Sequence, residues 1–91
     1  MSRIRAHVFI SGRVQGVYYR ASTAEEAERL DISGWVTNLE DGRVEAVFEG
    51  PESAVDSIVE WCHTGSDRAA VESVEAKYEA PTGLDEFEIR H

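Results

Sequence analysis

The stretch GWVTNLEDGRVEAVFEGP, Gly34 to Pro51, decides how the rest of the chain folds. Asp41-Gly42 favours the positive φ angles of a tight turn, and the β-branched and aromatic residues on either side make the segment a hairpin of two strands. Beyond the turn, Val44, Ala46 and Phe48 share one face of the strand while Glu45, Val47 and Glu49 share the other. Gly50-Pro51 then breaks the strand and opens a helix, because the fixed φ of proline suits a first helical turn. Ala54, Val55, Ile58, Val59, Trp61 and Cys62 recur at helical spacing and give that helix a broad apolar stripe, with its end expected near Gly65.

Upstream of the hairpin, Ile4, Ala6, Val8 and Ile10 alternate with Arg5, His7, Phe9 and Ser11, the period of a half-buried strand. The segment ASTAEEAERLD, Ala21 to Asp31, predicts a helix of about three turns. Ser22 and Glu25 offer a capping box, although Tyr19-Arg20 could equally form the first turn; both starts put Arg20 at the helix N-terminus. Downstream, Ala70 to Ala80 reads as a strand in which the parity change between Val71 and Val74 predicts a bulge or a late start. Pro81-Thr82-Gly83 is a turn, and FEIR, Phe87 to Arg90, a short terminal strand. The order β-α-β-β-α-β with one extra short strand predicts an α+β fold, a ferredoxin-like sandwich of an antiparallel sheet with two helices on one face. Its 91 residues suffice for one core, so a single domain spanning 1–91 is expected. That architecture hosts many unrelated functions, so function must be read from the loops.

Eighteen acidic residues against nine basic ones give a net charge of -9. Such a surface repels nucleic acid and anionic lipid, both of which need clustered Lys or Arg, so neither is an expected partner. A dense carboxylate surface also suits a salt-rich setting, where self-repulsion is screened within about 3 Å at 1 M ionic strength. No apolar run approaches the ~20 residues of a membrane helix, and the apolar stretch in MSRIRAHVFI is too short and broken for a signal peptide. Cys62 is the only cysteine, which rules out an intramolecular disulfide and a cysteine-based metal cluster and fits a reducing compartment, the cytoplasm.

Between the first strand and first helix lies GRVQGVYYR, Gly12 to Arg20. Glycine at 12 and 16 lets the backbone curl so that consecutive N-H groups converge, and the helix N-terminus behind them adds partial positive charge. Arg20 can present a planar charged fork to the same anion, a geometry matched to phosphate oxygens. The spacing alone fits a plain turn and a solvated arginine just as well, and no Walker A pattern follows. Asn38 stands in a strand where asparagine is disfavoured. Either it lies at a strand edge beside the turn, or its amide holds a water in line with a bound phosphoryl group.

SGRVQGVYYR, Ser11 to Arg20, and the hairpin segment closely resemble the two signature segments of acylphosphatases, small enzymes that hydrolyse the carboxyl-phosphate bond of acyl phosphates. The resemblance extends over essentially the whole chain, including the Gly-Pro pair and the terminal FEIR. It implies that Gln15, Gly16, Val17, Tyr18, Tyr19 and Arg20 hold the substrate phosphate through backbone N-H groups, with Arg20 adding its guanidinium, and that Asn38 orients the attacking water. It further implies a monomer that needs no cofactor, no metal and no covalent intermediate. Leu39 occupies a position where family members often carry a polar residue that helps product release, a step left without that side chain here.

Elsewhere the chemistry is sparse. His7, His63 and His91 lack metal-ligand spacing and are expected as strand or surface residues. Cys62 is expected as a small buried hydrophobe, and Trp35 and Trp61 as packing residues. Arg13 either adds positive potential near the loop or is solvated. The acidic excess is expected to form a solvated face. The rival functions are an RNA-binding sheet, for which RVEAVFEG has too few aromatics, and a non-catalytic module of a larger carbamoyl-transfer protein.

Overall fold

In the computed structural model, which describes residues 2–91, seven elements follow one another: β1 (Arg3–Arg13), α1 (Tyr19–Arg29), β2 (Ser33–Asn38), β3 (Val44–Pro51), α2 (Glu52–Cys62), β4 (Ala70–Glu79) and β5 (Phe87–Ile89). They form one five-stranded sheet in the order β4-β1-β3-β2-β5. The four long strands pair antiparallel. The short β5 joins on the outer side of β2 in parallel, with Gly34, Trp35 and Val36 opposite Phe87, Glu88 and Ile89, so the sheet is mixed.

The expected strand alternation sets the core. Ala6, Val8 and Ile10 of β1, Val44, Ala46 and Phe48 of β3 and Val36 of β2 are fully buried in one cluster with Ala27 and Tyr19 of α1 and Val55, Ile58 and Cys62 of α2. Each large apolar side chain there contributes about 1.5–3 kcal/mol by leaving water. Among the described residues no helix is long and apolar enough to cross a membrane.

Several expectations change in detail. Helix α1 starts at Tyr19, with Tyr18 as its N-cap in the left-handed conformation and no side-chain cap, so the Ser22–Glu25 box goes unused. Pro51 ends β3 and caps α2 at ψ 143 rather than forming its first turn. Strand β1 runs two residues beyond Ser11 and takes in Gly12, which therefore does not belong to the curled loop. Gly12 sits where the β1–β4 register slips past Glu72, the anticipated bulge; a Cβ there would lie 2.3 Å from the Ala70 carbonyl oxygen, so only glycine fits.

Not every acidic residue lies on the solvated face expected of the acidic excess. Val47 and Glu49 are fully buried, and Glu49 is the one buried carboxylate among the described residues. The β4–β5 connection lies over it: Thr82, Gly83 and Leu84 donate their N-H groups to Glu49 at 3.0–3.1 Å, and Arg5 Nη1 approaches to 2.7 Å. Burial opposes ionisation of this carboxyl, but the hydrogen bonds from Arg5, Thr82 and Leu84 outweigh it and hold its pKa at about 2.

Candidate active site

Three strand ends meet here: the exit of β1, the end of β2 and the end of β5. Val14, Gly16, Tyr18, Tyr19, Arg20, Ala21, Asn38, Ile89 and His91 line a cleft of about 390 Å³ between them. Arg20 and Asn38, 18 residues apart in sequence, face the same space.

The loop from Val14 to Tyr18 turns there because Gly16 adopts φ 73 and Tyr18 φ 62. Among the described residues no protein group accepts from the N-H groups of Gln15, Gly16, Val17 or Tyr18. The first helical hydrogen bond of α1 runs from Ser22 N-H to the Tyr18 carbonyl, so the N-H groups of Tyr19, Arg20 and Ala21 precede the helical ladder as well. A run of main-chain donors thus coincides with the positive end of the α1 dipole.

Side chains of the loop fix this shape rather than contributing charge. Gln15 Nε2 donates to the carbonyls of Leu39 at 2.7 Å and Arg43 at 3.0 Å, tying the loop to the β2–β3 turn. Val17 points into the core, and its carbonyl accepts from the buried Ser66 hydroxyl at 2.6 Å. Tyr19 is buried against Trp61, and its hydroxyl donates to the Cys62 carbonyl at 2.7 Å. Burial pushes the Tyr19 phenol well above its ordinary pKa, so it is a neutral anchor. Of the six loop residues named from the sequence, Gly16, Tyr18, Tyr19 and Arg20 line the cleft, whereas the side chains of Gln15 and Val17 serve as struts behind it.

Arg20 Nη1 donates to the Arg90 carbonyl at 2.9 Å and lies 3.1 Å from His91 Nδ1. The Arg90 N-H in turn donates to the Val36 carbonyl, so the end of β5 carries the β2 register across to the guanidinium. Asn38 closes β2 opposite Val44, on the sheet face that carries the core. Its Oδ1 is buried and has no hydrogen-bond partner among the described residues, which leaves a costly unpaired acceptor.

The remaining residues keep to packing roles. Cys62 is fully buried, and burial pushes its thiol up to about 12, which makes it inert as a nucleophile. His7 lies 2.6 Å from Glu45 on the second sheet face, against Phe9 and edge-on to Trp35. Trp35 lies under the Arg90 guanidinium at 4.6 Å. Leu39 lends its backbone to the site through Gln15, and its side chain does not line the cleft. Sequence reasoning missed Ile89, His91 and the Arg90 carbonyl at the site. The only signal for them was the terminal FEIR, whose pairing partner cannot be read locally.

Comparison with known proteins agrees in extent with this geometry. The family model described as Acylphosphatase matches residues 6–89. A relative from Natronomonas pharaonis named Acylphosphatase is 69% identical over 88 residues, covering 97% of this chain and 96% of the relative. Another of that name from Haloquadratum walsbyi is 64% identical over 89 residues, covering 98% and 96%. The crystal structure of acylphosphatase from Bacillus subtilis superposes with a TM-score of 0.94 at 36% identity, covering 97% of this chain and 99% of that one.

Proposed function

The chain belongs to the acylphosphatase family, and on that premise we propose how its residues divide the hydrolysis of an acyl phosphate to carboxylate and inorganic phosphate. The enzyme needs to do little covalent work, because the departing carboxylate is already a good leaving group. Its task is to place a water and to balance charge on the transferring phosphoryl group.

The main-chain N-H groups from Gln15 to Arg20 hold the phosphoryl oxygens, and the Arg20 guanidinium binds the same group from the side. Donors fixed in advance in this way strengthen as charge develops and require no rearrangement during reaction. Asn38 holds the attacking water through its side-chain amide and aims it at phosphorus. As the water oxygen bonds to phosphorus, the bond from phosphorus to the acyl oxygen breaks, the electron pair leaves with the carboxylate, and a water proton passes to a phosphoryl oxygen. The observation that supports this division most is that Asn38, whose Oδ1 finds no partner among the described residues, lines one cleft with Arg20 and with the loop whose amides are unbonded.

Turnover of benzoyl phosphate in ¹⁸O-labelled water tests the direction of attack. The label is expected in the phosphate; label in the benzoate would overturn it. We further read the chain as one domain, monomeric and cytoplasmic, since an acidic surface disfavours self-association and the single cysteine is buried. The same surface, and relatives in Natronomonas pharaonis and Haloquadratum walsbyi, support adaptation to high salt.

A further inference from the structure

We propose that Tyr18 and Ile89 form the acyl-binding side of the cleft and select acyl phosphates whose acyl group is bulky and apolar, aromatic above all. This rests on the phosphoryl group lying on the Gln15–Arg20 loop. The charged and polar equipment of the cleft then addresses one end of the substrate, and the acyl group must leave past its remaining walls.

Those walls are apolar. Three large hydrophobic residues stand exposed among the described residues, Tyr18 at 73%, Tyr78 at 51% and Ile89 at 38%, and two of the three line this one cleft. Single exposed hydrophobes are ordinary; a pair converging on a site is informative. The cleft, at about 390 Å³, falls in the ~300–1,000 Å³ range of clefts that enclose small molecules rather than single ions.

The backbone adds a second, independent observation. Tyr18 holds φ 62 and ψ 25, a region that bulky side chains seldom occupy. Its neighbours Val17 and Tyr19 are buried, and the left-handed turn at Tyr18 sends its ring outward between them. The Tyr18 ring is largely exposed and lies outside the buried core cluster. A strained residue with an outward aromatic face beside the cleft is suited to stacking on an acyl group.

The test compares kcat/KM for benzoyl phosphate and acetyl phosphate within each protein, so that a general loss of turnover cancels from the ratio. Ile89→Ser and Tyr18→Asn should each lower the benzoyl-to-acetyl ratio about fivefold or more, asparagine being a residue that accepts the left-handed conformation. Tyr18→Phe should keep the ratio within twofold of the unaltered enzyme. A ratio unchanged in both Ile89→Ser and Tyr18→Asn, with turnover of both substrates intact in the unaltered enzyme, would overturn the inference while leaving the functional reading standing. Failure of the unaltered enzyme to hydrolyse either substrate would instead sink that reading, and this inference with it.

Discussion

Towards the two ends of β3, two short segments gather main-chain N-H groups, each beside a guanidinium. On the outer sheet face, Thr82, Gly83 and Leu84 close with Arg5 on Glu49, whose two carboxylate oxygens accept all of them and the Thr82 hydroxyl at 2.7–3.1 Å. At the cleft, the amides of Gln15 to Arg20 stand beside the Arg20 side chain and have no acceptor outside the helix among the described residues. The donor chemistry is alike, and the difference is where the anion comes from. When the anion is part of the chain, the arrangement latches the β4–β5 connection to the sheet. When it must arrive from solvent, the same arrangement is a binding site.

Removing a charged group should therefore have opposite consequences at the two places. The largest effect is expected from Arg20→Ala, which should lower kcat/KM for benzoyl phosphate about 10³-fold or more while leaving the unfolding midpoint nearly unmoved, since among the described residues the Arg20 guanidinium reaches only the Arg90 carbonyl and His91. Steady-state kinetics and urea unfolding on the same preparation check both halves. Asn38→Ala should lower kcat about 10²-fold with little change in inhibition by inorganic phosphate, because it serves the water rather than the anion.

Glu49→Ala should show the mirror image, a loss of about 3–5 kcal/mol of stability from an uncompensated Arg5 and three orphaned amides, read by urea unfolding. Its pH dependence sharpens the contrast. The folded pKa of Glu49 is about 2 against an ordinary 4.5, so its contribution is complete above pH 4.5 and is lost as the pH falls through about 2. The shift corresponds to on the order of 3 kcal/mol, and Glu49→Gln should flatten the acid limb of the stability curve by that order. Smaller still is Gln15→Leu, which frees the loop from the Leu39 and Arg43 carbonyls and should raise the inhibition constant for phosphate several-fold. The most diffuse effect is that of salt: the melting temperature should rise from low to molar KCl, and a flat or falling curve would remove the high-salt reading.

Local signals carried much of this fold. The Asp41-Gly42 turn, the α2 stripe and the bulge opposite Gly12 each follow from residues a few positions apart. The sequence also pointed to Arg20 and Asn38, because a glycine-curled loop before a helix and an asparagine in a strand are both locally odd. What stayed hidden depends on distant pairing. Glu49 belongs to the acidic excess expected on a solvated face, and the return of Thr82–Leu84 over it buries it. The parallel docking of β5 on β2, which brings Ile89 and the Arg90 carbonyl to the cleft, joins segments about fifty residues apart, and no periodicity within FEIR encodes it. Gly12 misled for the opposite reason: a positive φ serves a strand slip as readily as a curled loop.

The claim that the loop amides converge on a tetrahedral oxyanion can be tested by titrating ¹⁵N-labelled protein with inorganic phosphate and following each amide. Saturable shifts at Gly16 through Arg20, abolished in Arg20→Ala, with the Thr82, Gly83 and Leu84 resonances still, are what the account predicts. Shifts that spare the loop, or that appear at Thr82–Leu84 instead, would contradict it.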